Sequence, residues 1–314
     1  MTLPELATIH RPRWRDTVPL LWRGSTIAQF GDDVIVDRVT TAHVSWLRSL
    51  DGLRTAADVA DHLPIARTEA RRLLRALIAA GGLEDAAQVP EAARWAGPDQ
   101  RADVARRFGA AMATYRDQRI ALRSMDNRGR TRVAILGEGL LRDGVAAAVD
   151  AAGLVEVADL RKADLVVLAD SHHPDVPAHF AHESLDLPHL HLGVLGHRAV
   201  VGPLVVPGVT SCLRCAHLHR RDADSAWPLL AVQWAQAVSA MSAVPLDPLL
   251  SRLACDLALT IVRGWADDPD QLGHGANAAF ELRLPTGLPQ RVERPAHPLC
   301  GCLWQSATAQ AANG

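Results

Sequence analysis

Between residues 18 and 39 apolar runs alternate with turn residues: VPLLW, then STIAQFG, then DDVIVDRV. Gly24 and Gly31-Asp32 punctuate the runs, which predicts a meander of short strands. The period then changes to that of a helix. Thr40 or Thr41 can cap a helix carrying Val44, Leu47 and Leu50, and Gly52 ends it. Thr55 opens a second helix with Ala56, Val59 and Leu63, which Pro64 stops. In IARTEARRLLRALIAAGG, residues Ala70, Leu73, Leu74, Leu77 and Ile78 keep helical spacing up to Gly81-Gly82. Strands followed by three short helices describe a winged helix-turn-helix over residues 1–88.

Residues 89–130 read as a connector. RADVARRFGAAMATYRDQR is an amphipathic helix and MDNRGRT a turn. The pattern after residue 130 is α/β. A strand, Val133 to Leu136, runs into Gly137-Glu138-Gly139 and a helix, followed by a strand from Val155 to Ala158. This is the opening of a dinucleotide-type domain, in which glycines let backbone approach and a helix N-terminus can hold a phosphate. The motif is incomplete, because Asp143-Gly144 stands where the last glycine is wanted at 142. The next strand, ADLVVLAD at 163–170, arrives too early for a further nucleotide-binding unit. PHLHLGVLGHRAVVGPLVVPG reads as strands, and WPLLAVQWAQAVSAM and PLLSRLACDLALTIVRGW as buried helices. AFELRLPTGLPQRVERP reads as a hairpin. The expected domain over 131–314 is thus a Rossmann-type α/β unit.

Two cysteine pairs change this picture. Cys212 and Cys215 form C-x-x-C, and Cys300 and Cys302 form C-x-C in HPLCGC. Two close pairs far apart in sequence suit a closed tetrahedral zinc site, structural because four protein ligands leave no position for water. Disulfides or unrelated buried thiols are the competing explanations. His217, His219 and His297 can support the thiolates from outside. Cys255 sits in an apolar run and reads as core. His172, His173, His179, His182, His189 and His191 form a histidine-rich stretch whose irregular spacing favours a solvated segment over a second metal site.

Charge narrows the partners. The net charge of −2 gives no general pull toward nucleic acid or anionic membrane. Residues 1–90 hold eleven Arg and Lys and eleven Asp and Glu, so the helix-turn-helix lacks the surplus that phosphate contacts need, despite Arg67, Arg71, Arg72 and Arg75. No apolar stretch is long enough to span a bilayer and no signal-peptide core opens the chain, so a reduced cytoplasmic setting is expected.

The stretch from Val200 through the first cysteine pair to Trp234, and the HPLCGC end, resemble the ThiF-like partner proteins of azole-forming peptide pathways. These are distant relatives of the ubiquitin-activating enzymes. The N-terminal part resembles the small winged-helix RiPP recognition element of the PqqD type. The resemblance implies a protein that binds the leader of a ribosomally made precursor peptide and presents it to a YcaO-type cyclodehydratase. It also implies the mode, in which the leader adds as a strand beside the third strand and lies against the third helix. Mapped here, the edge is Asp33, Val34, Ile35, Val36 and Asp37, and the helix face is Glu69, Arg72, Leu73, Ala76 and Leu77. Arg71, Arg72 and Arg75 would meet acidic leader residues. Adenylating relatives carry an acidic residue, then an Arg-x-x-x-x-Gln-type stretch and a lysine around ATP. Asp159 can be the first, but the stretch is missing and Lys162, the chain's one lysine, is out of place. A non-catalytic scaffold without ATP is therefore expected, with zinc as its cofactor. Homodimer formation stays open, and an adenylating enzyme and a DNA-binding regulator are the alternatives.

Overall fold

The computed structural model describes residues 3–170, 186–241, 245–269 and 272–303. Contacts divide the chain into two units, Met1–Asp126 and Asn127–Gly314.

The first unit opens with β1 (Pro12–Trp14), then β2 (Leu20–Trp22), β3 (Ala28–Phe30) and β4 (Val34–Val36). The last three form the expected meander, in the order β2-β3-β4, antiparallel throughout. Helices α1 (Thr41–Arg48), α2 (Ala56–Asp61) and α3 (Arg67–Ala79) follow. Thr40 and Thr55 cap the first two, each accepting a bond from the amide three residues on. Strand β5 (Leu83–Asp85) pairs antiparallel with β1. That ribbon escapes the sequence pattern because both strands are three residues long and β5 buries Glu84 and Asp85 as well as Leu83. Asp85 is held there by the amides of His10, Arg11 and Ala87. The core gathers Phe30, Trp46, Leu47, Leu50, Leu73, Leu74 and Leu77 between sheet and helices.

Helices α4 (Glu91–Trp95), α5 (Pro98–Tyr115) and α6 (Gln118–Arg130) come next. The segment MDNRGRT is not a turn but the last part of α6 and the residue after it. Gly129 costs the helix little because the Arg128 guanidinium is gripped on both nitrogens by the buried Asp267 carboxylate (2.5 and 2.6 Å). A tertiary pair of this kind overrides local propensity.

The second unit is a seven-stranded mixed sheet in the order β12-β11-β10-β9-β8-β6-β7. Strand β6 (Arg132–Gly137) leads into α7 (Gly139–Ala152) and the short β7 (Val155–Glu156), and β8 (Leu165–Asp170) returns on the other side of β6. Then come β9 (His189–Leu195), β10 (Arg198–Val205), α8 (Leu213–Ala223), α9 (Trp227–Ser239), α10 (Pro248–Asp267), β11 (Ala278–Arg283) and β12 (Gln290–Glu293). Strands β7, β6, β8 and β9 are parallel, and β10 to β12 antiparallel. Helix α10 packs on α7 so closely that a Cβ on Gly144 would stand 2.9 Å from Cys255 Sγ. The misplaced glycine of the motif is thus a helix-packing glycine, and Cys255 is core as expected. His189 and His191 are not solvated: both are buried in β9. The other histidines of that stretch lie outside the described residues.

Candidate functional site

The sheet itself brings the cysteine pairs together. The C-terminal end of β10, the start of β11 and the end of β12 lie at the same end of the sheet, through the pairings Leu204↔Ala276 and Ala278↔Glu293. The chain leaves β10 into Cys212, the N-cap of α8, and leaves β12 into Cys300. Two polar residues fasten the segments. Ser211 donates its amide N–H to Asn277 Oδ1 (2.7 Å) and its hydroxyl to Arg294 O (2.5 Å). Asn277 holds φ 52° to make that turn and also accepts Arg294 N–H on its carbonyl. Neither residue stands out in the sequence, since their partners are 66 and 83 residues away.

All four sulfurs lie within 4.8 Å of one another, close enough to hold a metal ion. Cys212 and Cys215 are 3.9 Å apart, Cys212 and Cys300 3.4 Å, and Cys215 and Cys302 3.4 Å. The edge of a tetrahedron with Zn–S bonds of 2.3 Å is about 3.8 Å, so the set fits that ion. None is in a disulfide. The thiol protons are shared unevenly. Cys215 is held down to about 4 by the hydrogen bond from Cys212, against burial, and by the His297 amide. Cys212 is pushed up because it donates to Cys215 and is partly buried. Burial, then its bond to Cys215, raises Cys302 to about 11. Thiolates this close repel one another, so all four can lose their protons together only with a cation between them.

His297 stands behind the second pair. Its Nδ1 accepts the Leu299 amide (3.1 Å), so its Nε2 carries the hydrogen and donates to Asp222 on α8 (2.8 Å). His219 packs edge-on against it, 4.7 Å between centroids. His217 instead accepts from the Trp227 indole.

The glycine turn after β6 packs directly on the neighbouring strand. Gly137 adopts φ 139°, and a Cβ there would lie 2.0 Å from Ala169 O, so its freedom is consumed by strand β8. Glu138 occupies the N-cap of α7, where a carboxylate opposes a bound anion. Lys162 lies in a short 3-10 turn after Asp159, whose side chain caps that turn by accepting the Arg161 amide.

In the first unit, β4 ends its three-stranded sheet among the described residues and spans 34–36 of the 33–37 stretch. Bonds Gly31 N→Pro19 O and Arg23 N→Ile27 O set the phase of the β2–β3 ladder, so Gln29 bonds toward β2 and Ala28 and Phe30 toward β4. Val34 and Val36 therefore face β3, and Ile35 turns its N–H and C=O to the open edge. Its side chain is 55% exposed, in one row with Gln29 and Leu21.

The helix face departs from expectation. Leu73 and Leu77 are wholly buried in the core and cannot touch a peptide. What remains beside β4 is Glu69, Arg72 and Ala76. Arg72 binds Glu69 and donates to the carbonyls of Asp37 (2.7 Å) and Arg38, so it caps the end of the edge. Arg71 and Arg75 do not await acidic partners, because both bind the buried Glu5 carboxylate. Burial raises that carboxyl, but its own amide and the two guanidinium groups outweigh this and hold it below the usual range. Asp33 is bound by Arg116 (2.9 Å).

No protein-family model matches the chain, and no curated protein matches it in sequence. Solved structures do match its fold. The heterocyclase TruD superposes with a TM-score of 0.63 at 17% identity, over 96% of this chain and 44% of that one. A heterocyclase in complex with substrate and cofactor gives 0.61 at 13%, over 93% and 39%. Escherichia coli MccB with succinimide gives 0.60 at 13%, over 93% and 99%. The chain thus spans less than half of the two heterocyclases and nearly all of MccB.

Proposed function

We propose that this chain is a leader-binding partner protein in the biosynthesis of a ribosomally made peptide. In this reading the first unit is a winged-helix recognition element, and the second is a ThiF-like scaffold with a structural zinc on Cys212, Cys215, Cys300 and Cys302. A separate YcaO-type cyclodehydratase acts on the presented peptide. The observation that carries the reading is the open β4 edge, where Ile35 offers an outward N–H and C=O beside α3. An extended peptide can take up both groups as a further strand. The match to less than half of each heterocyclase supports the division of labour, since the cyclising part would reside on another chain.

The mechanism is then one of positioning. Backbone bonds to Ile35, and to Asp33, supply affinity. Arg72 sets where the added strand stops, because it already occupies Asp37 O. The apolar row of Leu21 and Ile35 offers contact to alternate leader side chains. Zinc, when bound, supplies only cross-linking of α8 to the end of the hairpin, and the scaffold needs no nucleotide.

The test is fluorescence anisotropy with the leader of the precursor encoded beside this gene. Ile35→Pro removes the outward donor of Ile35 and leaves the β3–β4 bonds intact, so the unit should stay folded. Affinity should fall by about five- to tenfold, the scale of one lost backbone hydrogen bond. A folded variant binding at wild-type affinity would refute strand addition. A second reading, an adenylating enzyme, draws on the match along the whole MccB chain. Glu138 and Gly137 oppose it, and ATP–pyrophosphate exchange by the purified chain would establish it.

A further inference from the structure

The closest contacts among the four sulfurs run across the site. Cys212 Sγ stands 3.4 Å from Cys300 Sγ, and Cys215 Sγ 3.4 Å from Cys302 Sγ, while Cys212 and Cys215, neighbours on one turn, are 3.9 Å apart. Each short contact links the start of α8 to the segment after β12, 88 and 87 residues on. The two cross-pairs share no cysteine and together use all four. Access is uneven. Cys215 is buried, whereas Cys212, Cys300 and Cys302 are partly open to solvent. The flanking Leu299 is 71% exposed, and Gly301 is exposed too. A small oxidant can therefore reach Cys212 and Cys300 together. Folding already holds these sulfurs side by side, so closing so long a loop meets no further entropic cost. An S–S bond requires each pair to approach by only about 1.4 Å.

We propose that the cluster is a site of reversible oxidation by hydrogen peroxide, in which Cys212 joins Cys300 and Cys215 joins Cys302. The thiolate of Cys212 or Cys300 attacks one peroxide oxygen. An S–O bond forms, the O–O bond breaks and hydroxide leaves. The other thiolate attacks the resulting sulfenic sulfur. The S–S bond forms, the S–O bond breaks and a second hydroxide leaves. Two electrons thus pass from two sulfurs to one peroxide, and a second peroxide oxidises Cys215 and Cys302 in the same way. Sulfurs tied in disulfides are no longer thiolate ligands, so oxidation releases any zinc held there. The new bonds span the same two segments that the metal would. Oxidation therefore exchanges one cross-link for another and leaves α8 fastened to the end of the hairpin. Cys255 takes no part, since its Sγ is buried against Leu141 O (3.6 Å). The proposal rests on the four-cysteine cluster and is independent of leader binding.

The test treats the full chain with hydrogen peroxide, both zinc-loaded and after chelation. Free thiols are then alkylated, and the disulfides are mapped by mass spectrometry of peptides. In both arms Cys212–Cys300 should form first and Cys215–Cys302 second, with an intact mass lower by about 4 Da for four lost hydrogens. A chromophoric chelator should register zinc leaving the loaded arm in step with the first bond, and dithiothreitol should reverse both changes. Oxidised, metal-free protein should melt above its reduced, metal-free form, because two long loops stay closed. Cys255→Ala, checked for folding by circular dichroism, should give the same disulfides. Bonds formed chiefly within a pair, Cys212–Cys215 or Cys300–Cys302, would overturn the proposal. So would sulfinic acids without disulfides, or thiols that react only after denaturation. Cross-pairs in a chain that never binds zinc would refute the metal and support the oxidation.

Discussion

At the scale of single residues, the cysteines make the sharpest predictions. In the metal-free protein Cys215 is already a thiolate at neutral pH, whereas Cys212 and Cys302 hold their protons. Binding a divalent ion must expel those two. Zinc affinity should therefore rise with pH, by at least about a hundredfold per unit because at least those two protons must leave, over roughly pH 6 to 9. Competition with a chromophoric chelator across that range measures the slope, and a flat profile would contradict the proton assignment. Cys255 behaves differently. Burial pushes its thiol up to about 11, and its Sγ is 1% accessible with the rest of the residue. A thiol titration of native protein after chelation should count four reactive groups, and a fifth only on unfolding. Ser211 and Asn277 are positioning residues. Asn277→Ala should lower zinc affinity by about tenfold or more through loss of the tether, as outer partners of a metal site do, with little change in far-ultraviolet circular dichroism.

At the scale of elements, the N-terminal segment is fastened to α3 by Glu5. Its carboxyl is lowered in the folded chain, so its stabilisation is present above the ordinary carboxylate value and is lost as pH falls through the lowered one. Glu5→Gln should cost about 1–2 kcal/mol at pH 7, modest because Arg71 is partly and Arg75 largely exposed. The gap to wild type should close in acid, and denaturant melts at two pH values read it. This same contact explains a failure of sequence reasoning. The spacing of Arg71, Arg72 and Arg75 shows a basic helix face, but partners 66 or more residues away are invisible to local pattern. Helical spacing likewise found Leu73 and Leu77 without saying that they face inward. Capping residues such as Thr40 and Thr55 were legible because their partners are three residues on. The cysteine pairs were legible because each turn carries two ligands. The exposure of Leu229 and Val232 on α9, a helix expected to be buried, was not, because periodicity cannot tell a covered face from an uncovered one.

At the scale of the whole molecule, the proposed function divides the labour between the two units: the first offers an open strand edge and the second an α/β scaffold whose four cysteines lie close enough to hold a metal ion. The central claim is that a leader peptide completes the sheet at β4. Residue-resolved amide hydrogen exchange, with and without the leader encoded beside the gene, tests it most directly. The phase of the ladder predicts which amide responds. Ile35, whose N–H points outward, should gain protection when the leader is added, while Val34 and Val36, already bonded to β3, should change little. A leader that binds yet leaves Ile35 exchanging as before, or that protects the β2 edge instead, would contradict the account.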